Sequence, residues 1–271
     1  MRRSNIVKVL VMMLVLVMVI GSIPASAKKK KVTVSGSKKK IEKAIGKSKS
    51  AYITISSDAN KVTIPATEGS ENKKIVIDCP NADVTNYATF QKVTVKAAKS
   101  YTEAAPTNTV VVKNEDAVIK VAKTASLAII EVKSESATII AKKGSTAAVI
   151  ADKKGADVKI EASKKATVGV AIQKKATVEV SGNRKATIGI VNQAEDSTVI
   201  ANTQVAIQTE QDINIVANEG SEGTILDKTN DAIEANIENN TNDVVIQTIN
   251  GEYPPIDNPN ATSGAIGVEG L

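Results

Sequence analysis

The sequence predicts an all-β fold, a parallel β-helix solenoid with a short N-terminal capping helix. Three observations predict it. A unit of about ten residues repeats along much of the chain, each unit alternates apolar with polar or small residues, and the chain has no Trp and one Phe. A repeat that buries one face on its neighbours is typical of a solenoid, and a narrow solenoid interior leaves little room for aromatic side chains.

The repeat is clearest in residues 164–193, KKATVGVAIQKKATVEVSGNRKATIGIVNQ. This stretch contains three nearly identical units of ten residues, which we call decads. Apolar residues occupy every second position, which predicts half-buried strands, and the charged segments between them are typical of turns. Weaker copies extend upstream to VVV (110–112) and downstream to TIL (224–226). We expect these side chains to point inward: Ala166, Val168, Val170, Val178, Val180, Ile188 and Ile190.

Two arrangements of such strands compete. An antiparallel meander would show Asn-Gly or Asp-Gly turns between its strands, and these pairs are almost absent. A parallel β-helix stacks like residues on like, which the near-identical decads favour. We therefore expect the β-helix, with two units and about 20 residues in each coil, although three units per coil also fit the pattern.

The N-terminus does not belong to the repeat. Residues 1–27 combine basic residues, the apolar run VLVMMLVLVMVI (9–20) and Ala25-Ser26-Ala27, which is the pattern of a secretory signal peptide cleaved after Ala27. A membrane anchor is the alternative, but a helix of this run would span only about 18 Å of a hydrocarbon core of about 30 Å. We therefore expect an exported protein, extracellular or on the cell surface, with no stable membrane insertion after processing.

The β-helix domain is predicted to cover residues 28–248. The segment 249–271, rich in Pro, Asn and Gly, is predicted to be a flexible tail. Near the start of the domain, KKKIEKAIGK (38–47) places Ile41 and Ile45 on one helical face. A short amphipathic helix that leads straight into strands can close the open end of a solenoid.

The region after this helix resembles a known family. IEKAI (41–45), the strand that follows it, and KVTIPATEGSENKKIVIDCPNADVTNYATFQKVTV (61–95) are similar to the N-terminal cap and first coils of secreted bacterial proteins of the pectin lyase-like superfamily. The resemblance covers roughly residues 38–96. It implies a right-handed parallel β-helix and an extracellular setting, and it carries over no catalytic site.

Residue types needed for catalysis are scarce. After residue 27 the chain has no His and a single Arg, Arg184, and its one cysteine, Cys79, has no histidine to activate it. Enzymes of the resembled superfamily use clustered carboxylates, whereas the Asp and Glu residues in these repeats are scattered singly. We therefore expect no catalytic residue and no cofactor. The alternative is a polysaccharide lyase or glycoside hydrolase whose site is unrecognised.

One segment imitates a calcium-binding loop. DKTNDAIEANIE (227–238) puts oxygen-bearing side chains at its first, third, fifth and twelfth positions, but Ala232 stands where such a loop requires glycine. We expect a solvated acidic turn there and no metal site.

Charge is distributed unevenly along the chain. Residues 194–271 include fourteen acidic residues and one basic residue, a formal charge of −13, whereas residues 28–193 carry +16. Basic pairs recur at the predicted corners, so a rod would present them as aligned rows that can hold a polyanion. The competing interpretation is that they only keep the rod soluble and prevent edge-to-edge aggregation. The candidate binding residues are Lys142, Lys143, Lys153, Lys154, Lys164, Lys165, Lys174, Lys175, Arg184 and Lys185.

Together these patterns predict a non-catalytic secreted or cell-surface protein, structural or adhesive in character. Its ligand would be a polyanion such as a cell-wall polymer, an acidic polysaccharide or extracellular DNA. The acidic C-terminal third is expected to repel the same ligand, or to meet the basic region of another copy head to tail.

Overall fold

The computed structural model describes residues 31–34, 37–47, 51–241 and 245–250. The predicted signal peptide (1–27) and the predicted tail beyond Asn250 lie outside these residues, so cleavage and export stay predictions. The described helix α1 is Lys38–Lys47. The described strands are β1 Lys31–Val34, β2 Tyr52–Ser56, β3 Lys61–Ile64, β4 Lys74–Asn86, β5 Lys92–Glu103, β6 Thr107–Val112, β7 Ala117–Val121, β8 Leu127–Val132, β9 Ser136–Ala141, β10 Thr146–Ala151, β11 Ala156–Ala162, β12 Thr167–Ile172, β13 Ala176–Gly182, β14 Thr187–Asn192, β15 Ser197–Ala201, β16 Ala206–Thr209, β17 Ile213–Ala217, β18 Ile225–Lys228, β19 Ala235–Asn239 and β20 Ile246–Ile249.

The strands form a parallel β-solenoid of about 10 turns. Two parallel sheets run along the rod, and each coil contributes one strand to each. Sheet A contains β1, β2, β6 and the even-numbered strands from β8 to β20, and sheet B contains β3 and the odd-numbered strands from β7 to β19. The long strands β4 and β5 bend around a corner and take part in both sheets. The predicted fold class is confirmed.

The register shows that each coil holds two sequence units. In sheet A, Thr146 pairs with Thr167 and Thr167 pairs with Thr187, so these coils contain 21 and 20 residues. In sheet B, Val158 pairs with Val178. The alternative of three units per coil is therefore wrong, and like residues stack on like because the decads alternate between the two sheets.

The interior is a narrow stack of aliphatic side chains. All seven residues predicted to point inward, from Ala166 to Ile190, expose at most 1 % of their surface. Sheets pack face to face about 10 Å apart, which Val, Ile and Ala from two strands fill without aromatic volume. Cys79 is also buried, and its thiol donates a 3.5 Å hydrogen bond to the carbonyl of Ile55. Burial raises the pKa of the Cys79 thiol, which disfavours the reactive thiolate.

Helix α1 lies at the N-terminal end of the rod. Its Ile41 and Ile45 are buried, and it contacts β1 and β3, the first strands of the two sheets. The carbonyl of Ser37 accepts hydrogen bonds from the amides of Lys40 and Ile41 at the start of the helix. A helix laid across the first coil covers apolar surface that would otherwise face water, as the sequence predicted. Membership of the pectin lyase-like superfamily stays a prediction.

Candidate functional site

The predicted basic pairs fall on two different edges of the rod. Turns that lead from a sheet B strand to the next sheet A strand lie on one edge, and turns that lead back lie on the other. We call the first the basic edge and define it by its cationic residues: Lys123, Lys142, Lys143, Lys164, Lys165, Arg184 and Lys185. We call the second the mixed edge and define it by these residues: Lys133, Glu135, Asp152, Lys153, Lys154, Lys174, Lys175, Glu195 and Asp196.

The turns of the basic edge share one closing hydrogen bond. Each is a four-residue turn closed by a backbone hydrogen bond from its fourth amide to its first carbonyl, at 2.7–3.1 Å. Backbone hydrogen bonds also join one turn to the next, from the Gly144 amide to the Lys164 carbonyl and from the Lys165 amide to the Lys185 carbonyl. The second position of each turn holds a cation, so these four residues form a column with one positive charge per coil: Lys123, Lys143, Lys164 and Arg184.

All seven side chains of the basic edge are exposed. They spread over four coils, which at a rise of about 4.8 Å per coil corresponds to roughly one positive charge per 3 Å of rod axis. Neighbouring like charges about 5 Å apart repel by somewhat under 1 kcal/mol in water. The arrangement therefore carries a cost in stability that an anionic ligand would remove.

No described carboxylate lies within ion-pair distance of the basic edge. The acidic coils begin just beyond it. The pKa of Glu222 is lowered mainly by the hydrogen bond from the Gly220 amide and to a smaller degree by the positive charge of Arg184. The charge of Arg184 therefore acts on Glu222, although the two side chains do not form an ion pair.

The mixed edge carries carboxylates among its lysines. Lys133 Nζ lies 3.0 Å from a carboxylate oxygen of Asp152, and Lys175 Nζ lies 3.2 Å from one of Asp196. A weaker contact of 4.0 Å joins Lys153 to Glu135. Exposed pairs of this kind add little stability, but they cancel the net charge that a polyanion would meet.

The ten predicted binding residues are therefore not equivalent. Six lie on the basic edge and four lie on the mixed edge, and all are exposed except Lys153, which is half-buried. Sequence reasoning missed Lys123, which stands alone in its turn and precedes the clear decads. A period of 20 residues, counted back from Lys143, would have found it.

An open groove of about 460 Å³ runs along the mixed edge. It is lined by Lys154, Lys174, Lys175 and the two acidic residues Glu195 and Asp196, with glutamine amides between them. Charges of both signs face it, so it offers no field of one sign to a linear polyanion.

A buried polar cluster lies inside the rod at the coil that precedes the basic edge. The Glu103 carboxylate accepts hydrogen bonds from the Tyr101 hydroxyl at 2.8 Å, the Ala105 amide at 2.9 Å and the Asn86 side-chain amide at 3.2 Å. Burial raises the pKa of Glu103, and these hydrogen bonds lower it in part. Burial and the neighbouring Glu103 charge raise the pKa of Tyr101 well above its ordinary value.

This cluster is enclosed, because Tyr101 and Glu103 expose none of their surface. A ligand cannot reach it, so its role is to anchor the turn at Ala105 from within. The only sequence signal was an acid at an inward position of an otherwise alternating strand.

The calcium-like segment 227–238 is divided between the two sheets. Asp227 belongs to β18 in sheet A and Glu238 belongs to β19 in sheet B, so the residues of the calcium-like segment do not converge. Within the described ranges, no three His, Cys, Asp or Glu side chains are grouped closely enough to hold a metal ion. The described helix is too short and too polar to cross a bilayer.

Comparisons of the chain with protein-family models, curated proteins and solved structures find no match. The case for a function therefore rests on the geometry and charge of the rod itself.

Proposed function

We propose that this protein is a non-catalytic, secreted or cell-surface β-solenoid that binds polyanions along its basic edge. One observation carries the proposal: four consecutive turns present seven cations to water, and no described carboxylate pairs with any of them. A purely solubilising surface would intersperse charges of both signs, as the mixed edge does.

The physics of such a site is electrostatic. A linear polyanion laid along the edge would replace repulsion between neighbouring cations with attraction and would release its condensed counterions. No aromatic residue occurs between residues 102 and 252, so stacking on bases or sugars adds nothing there. Binding should therefore be weakly selective among acidic polysaccharides, wall polymers and DNA, and it should weaken steeply as salt is added.

The two edges supply a matched experiment. One variant changes four basic-edge residues to Gln: Lys143, Lys164, Lys165 and Lys185. The control changes four mixed-edge residues to Gln: Lys153, Lys154, Lys174 and Lys175. Both lose four positive charges, so any difference between them reports position rather than net charge.

Binding is measured with fluorescent single-stranded oligonucleotide and with polygalacturonate at several salt concentrations. The basic-edge variant should bind at least about tenfold more weakly, with a salt slope shallower by roughly 3, because each lost contact removes about 0.7 from the slope. The control should stay within about threefold of the parent. Equal losses in both variants, or no loss in either, would refute the proposal.

A further inference from the structure

The two ends of the rod are closed differently. At the N-terminal end α1 contacts β1 and β3, and the first core residues of β2, Ile53 and Ile55, expose at most 1 % of their surface. At the C-terminal end β19 and β20 form the last described coil, and the one described helix lies at the other end. The core side of this coil is open: Ile215 of β17 exposes none of its surface, whereas Ile237, stacked on it in β19, is only half-buried.

Both ends also present strand edges. Among the described strands, β19 pairs with β17 and β20 pairs with β18, so each has one edge without a described neighbour. At the N-terminal end β1 pairs with β2 alone. The backbone amides and carbonyls along such an edge are a template for a further strand. Because β20 and β1 both belong to sheet A, a second copy placed end to end would continue that sheet in the same parallel direction.

The C-terminal end is acidic. Asp231, Glu234 and Glu238 lie in β19 or just before it, and all three are exposed. No Lys or Arg follows Lys228 in the sequence, so the last coil has no cation of its own to balance them. A positively charged surface placed over this end would therefore be attracted to it.

A ladder of asparagine side chains ends at the same place. The Asn218 amide donates to the side-chain oxygen of Asn202 at 2.8 Å, and the Asn240 amide donates to that of Asn218 at 3.0 Å. Each step donates toward the N-terminal end, and no described residue donates to the side-chain oxygen of Asn240. The ladder thus leaves an exposed acceptor at the last coil, which a donor on a further molecule would satisfy.

Helix α1 presents a row of lysines at the opposite end. Lys39, Lys43 and Lys47 recur every four residues and are exposed. They are offset by two residues from the buried Ile41 and Ile45, so they lie on the other side of the helix and point away from the first coil. The helix contains five lysines and one glutamate, a formal charge of +4. A lysine ammonium only donates hydrogen bonds, which complements an end made of carboxylates and amide oxygens.

We propose that the C-terminal end of one copy docks on the N-terminal end of the next, so that rods join head to tail into filaments. In this arrangement β1 of the next copy continues sheet A beyond β20, and its α1 lies over β19 with the lysines beside the carboxylates. The two docking surfaces differ, so every joined pair still has one free end of each kind and can grow. The basic edge runs along the side of the rod, and this inference does not depend on the proposed binding of polyanions there.

The contact between two ends is small. A strand length of about 17 Å and a width of about 20 Å, for two sheets and their outer side chains, give roughly 340 Å² per copy and about 700 Å² in total. Interfaces below about 1,200 Å² are weak and transient. We therefore expect a dissociation constant on the order of 0.1 mM, set largely by the opposite charges of the two ends.

The test reverses the charge of one end at a time. The helix variant carries Lys39→Glu and Lys43→Glu, and the coil variant carries Glu234→Lys and Glu238→Lys. Each variant alone brings like charges together at every contact, so its dissociation constant should rise at least about tenfold. An equimolar mixture of the two should associate like the parent, because the acidic helix of one variant meets the basic coil of the other and the two unchanged ends also match.

The average mass of residues 28–271, the form expected after cleavage, is measured by light scattering from about 10 µM to about 500 µM. The parent should pass twice the monomer mass without reaching a plateau, because a head-to-tail contact does not close. Each variant alone should stay below twice the monomer mass, and their mixture should follow the parent. A control with Lys154→Glu and Lys174→Glu on the mixed edge changes the net charge as much as the helix variant does, and it should also follow the parent.

Circular dichroism checks that each variant is folded, and the single changes Lys43→Glu and Glu238→Lys repeat the mixing test if a double variant is not. A monomer mass for the parent at every concentration, or a plateau at twice that mass, would overturn the proposal. A helix variant that associates as the parent does would also overturn it, since the acidic end would then meet some other surface. So would a mixture of the two variants that stays monomeric.

Discussion

The basic edge and the mixed edge are made from the same decads, yet they present different charge to solvent. Lys164-Lys165 and Lys174-Lys175 are written almost identically in the sequence, ten residues apart. What separates them is the coil above: Arg184-Lys185 stands over the first pair, whereas Glu195-Asp196 stands over the second. In a solenoid with two units per coil, the residue about 20 positions away in the sequence is the neighbour in the next coil. It therefore determines the electrostatic surroundings of a repeated residue.

The largest expected effect is on the stability of the whole rod, because both edges depend on the same core. Val178 exposes none of its surface and stacks between Val158 and Val199. Val178→Asp should cost about 3–5 kcal/mol of unfolding free energy, since an unpaired charge would sit in an aliphatic stack. Thr177→Asp, one residue away and facing outward, should cost at most about 1 kcal/mol, part of it from repulsion by Asp157 on the neighbouring strand. Urea unfolding followed by circular dichroism measures both, and equal losses would contradict the assignment of inward and outward positions.

The second effect concerns the coil beneath the basic edge. Tyr101→Phe removes the hydroxyl that donates to the Glu103 carboxylate and should cost about 1–3 kcal/mol, because this buried carboxylate loses one of its donors and keeps the Ala105 and Asn86 amides. The same denaturation measurement reports it. A change below about 0.5 kcal/mol would mean that the hydrogen bond contributes nothing to the stability of this coil.

The pH dependence of stability tests the same cluster. Because the folded-state pKa of Glu103 is raised above its ordinary value of 4.5, its contribution to stability is fully present below that value and is lost as pH rises through the folded-state pKa. The parent should therefore lose stability relative to Glu103→Gln as the pH rises above the ordinary value of 4.5. A constant difference between the two proteins across this range would show that Glu103 titrates normally.

Much of the fold follows from sequence because the pattern and the physics agree. Val168, Val170, Val178 and Val180 are buried as the alternation requires, and Ile41 with Ile45 forms the predicted capping face. The differing surroundings of the two edges could not be derived in the same way. Alternation fixes which side of a strand faces the core, but coil length, here 20 or 21 residues against 17 between Gly189 and Ala206, fixes which turns stack. Glu103 was missed because a buried acid contradicts the alternating rule that located the other inward positions.

A smaller effect separates the contribution of a lysine's charge to binding from the cost of its backbone strain to stability within the basic edge. Lys165 adopts φ 62°, in the left-handed region, and Gly144 occupies the same turn position one coil earlier with φ 72°. A lysine there costs about 1 kcal/mol relative to glycine. Lys165→Gly should therefore raise the unfolding free energy by roughly 0.5–1 kcal/mol while weakening polyanion binding, whereas Lys164→Gly should lower it by a similar amount. A Lys165→Gly protein that is less stable than the parent would show that the lysine is kept for packing rather than for charge.

The smallest effect would convert one edge into the other. If the mixed edge differs from the basic edge only in its acidic neighbours, then Glu135→Gln, Asp152→Asn and Asp196→Asn together should create a second binding row without adding a single lysine. Asn tolerates the left-handed conformation that Asp196 adopts, with φ 53°, so the turn should survive the change. The ion pairs that are lost are exposed and stabilise by about 0–1 kcal/mol each, so the protein should remain folded. Titration with a short oligonucleotide should then give two sites per rod instead of one, the new site weaker by a fewfold because it has fewer cations than the basic edge. An unchanged stoichiometry would mean that the shape of the edge, and not only its unpaired charge, determines where a polyanion binds.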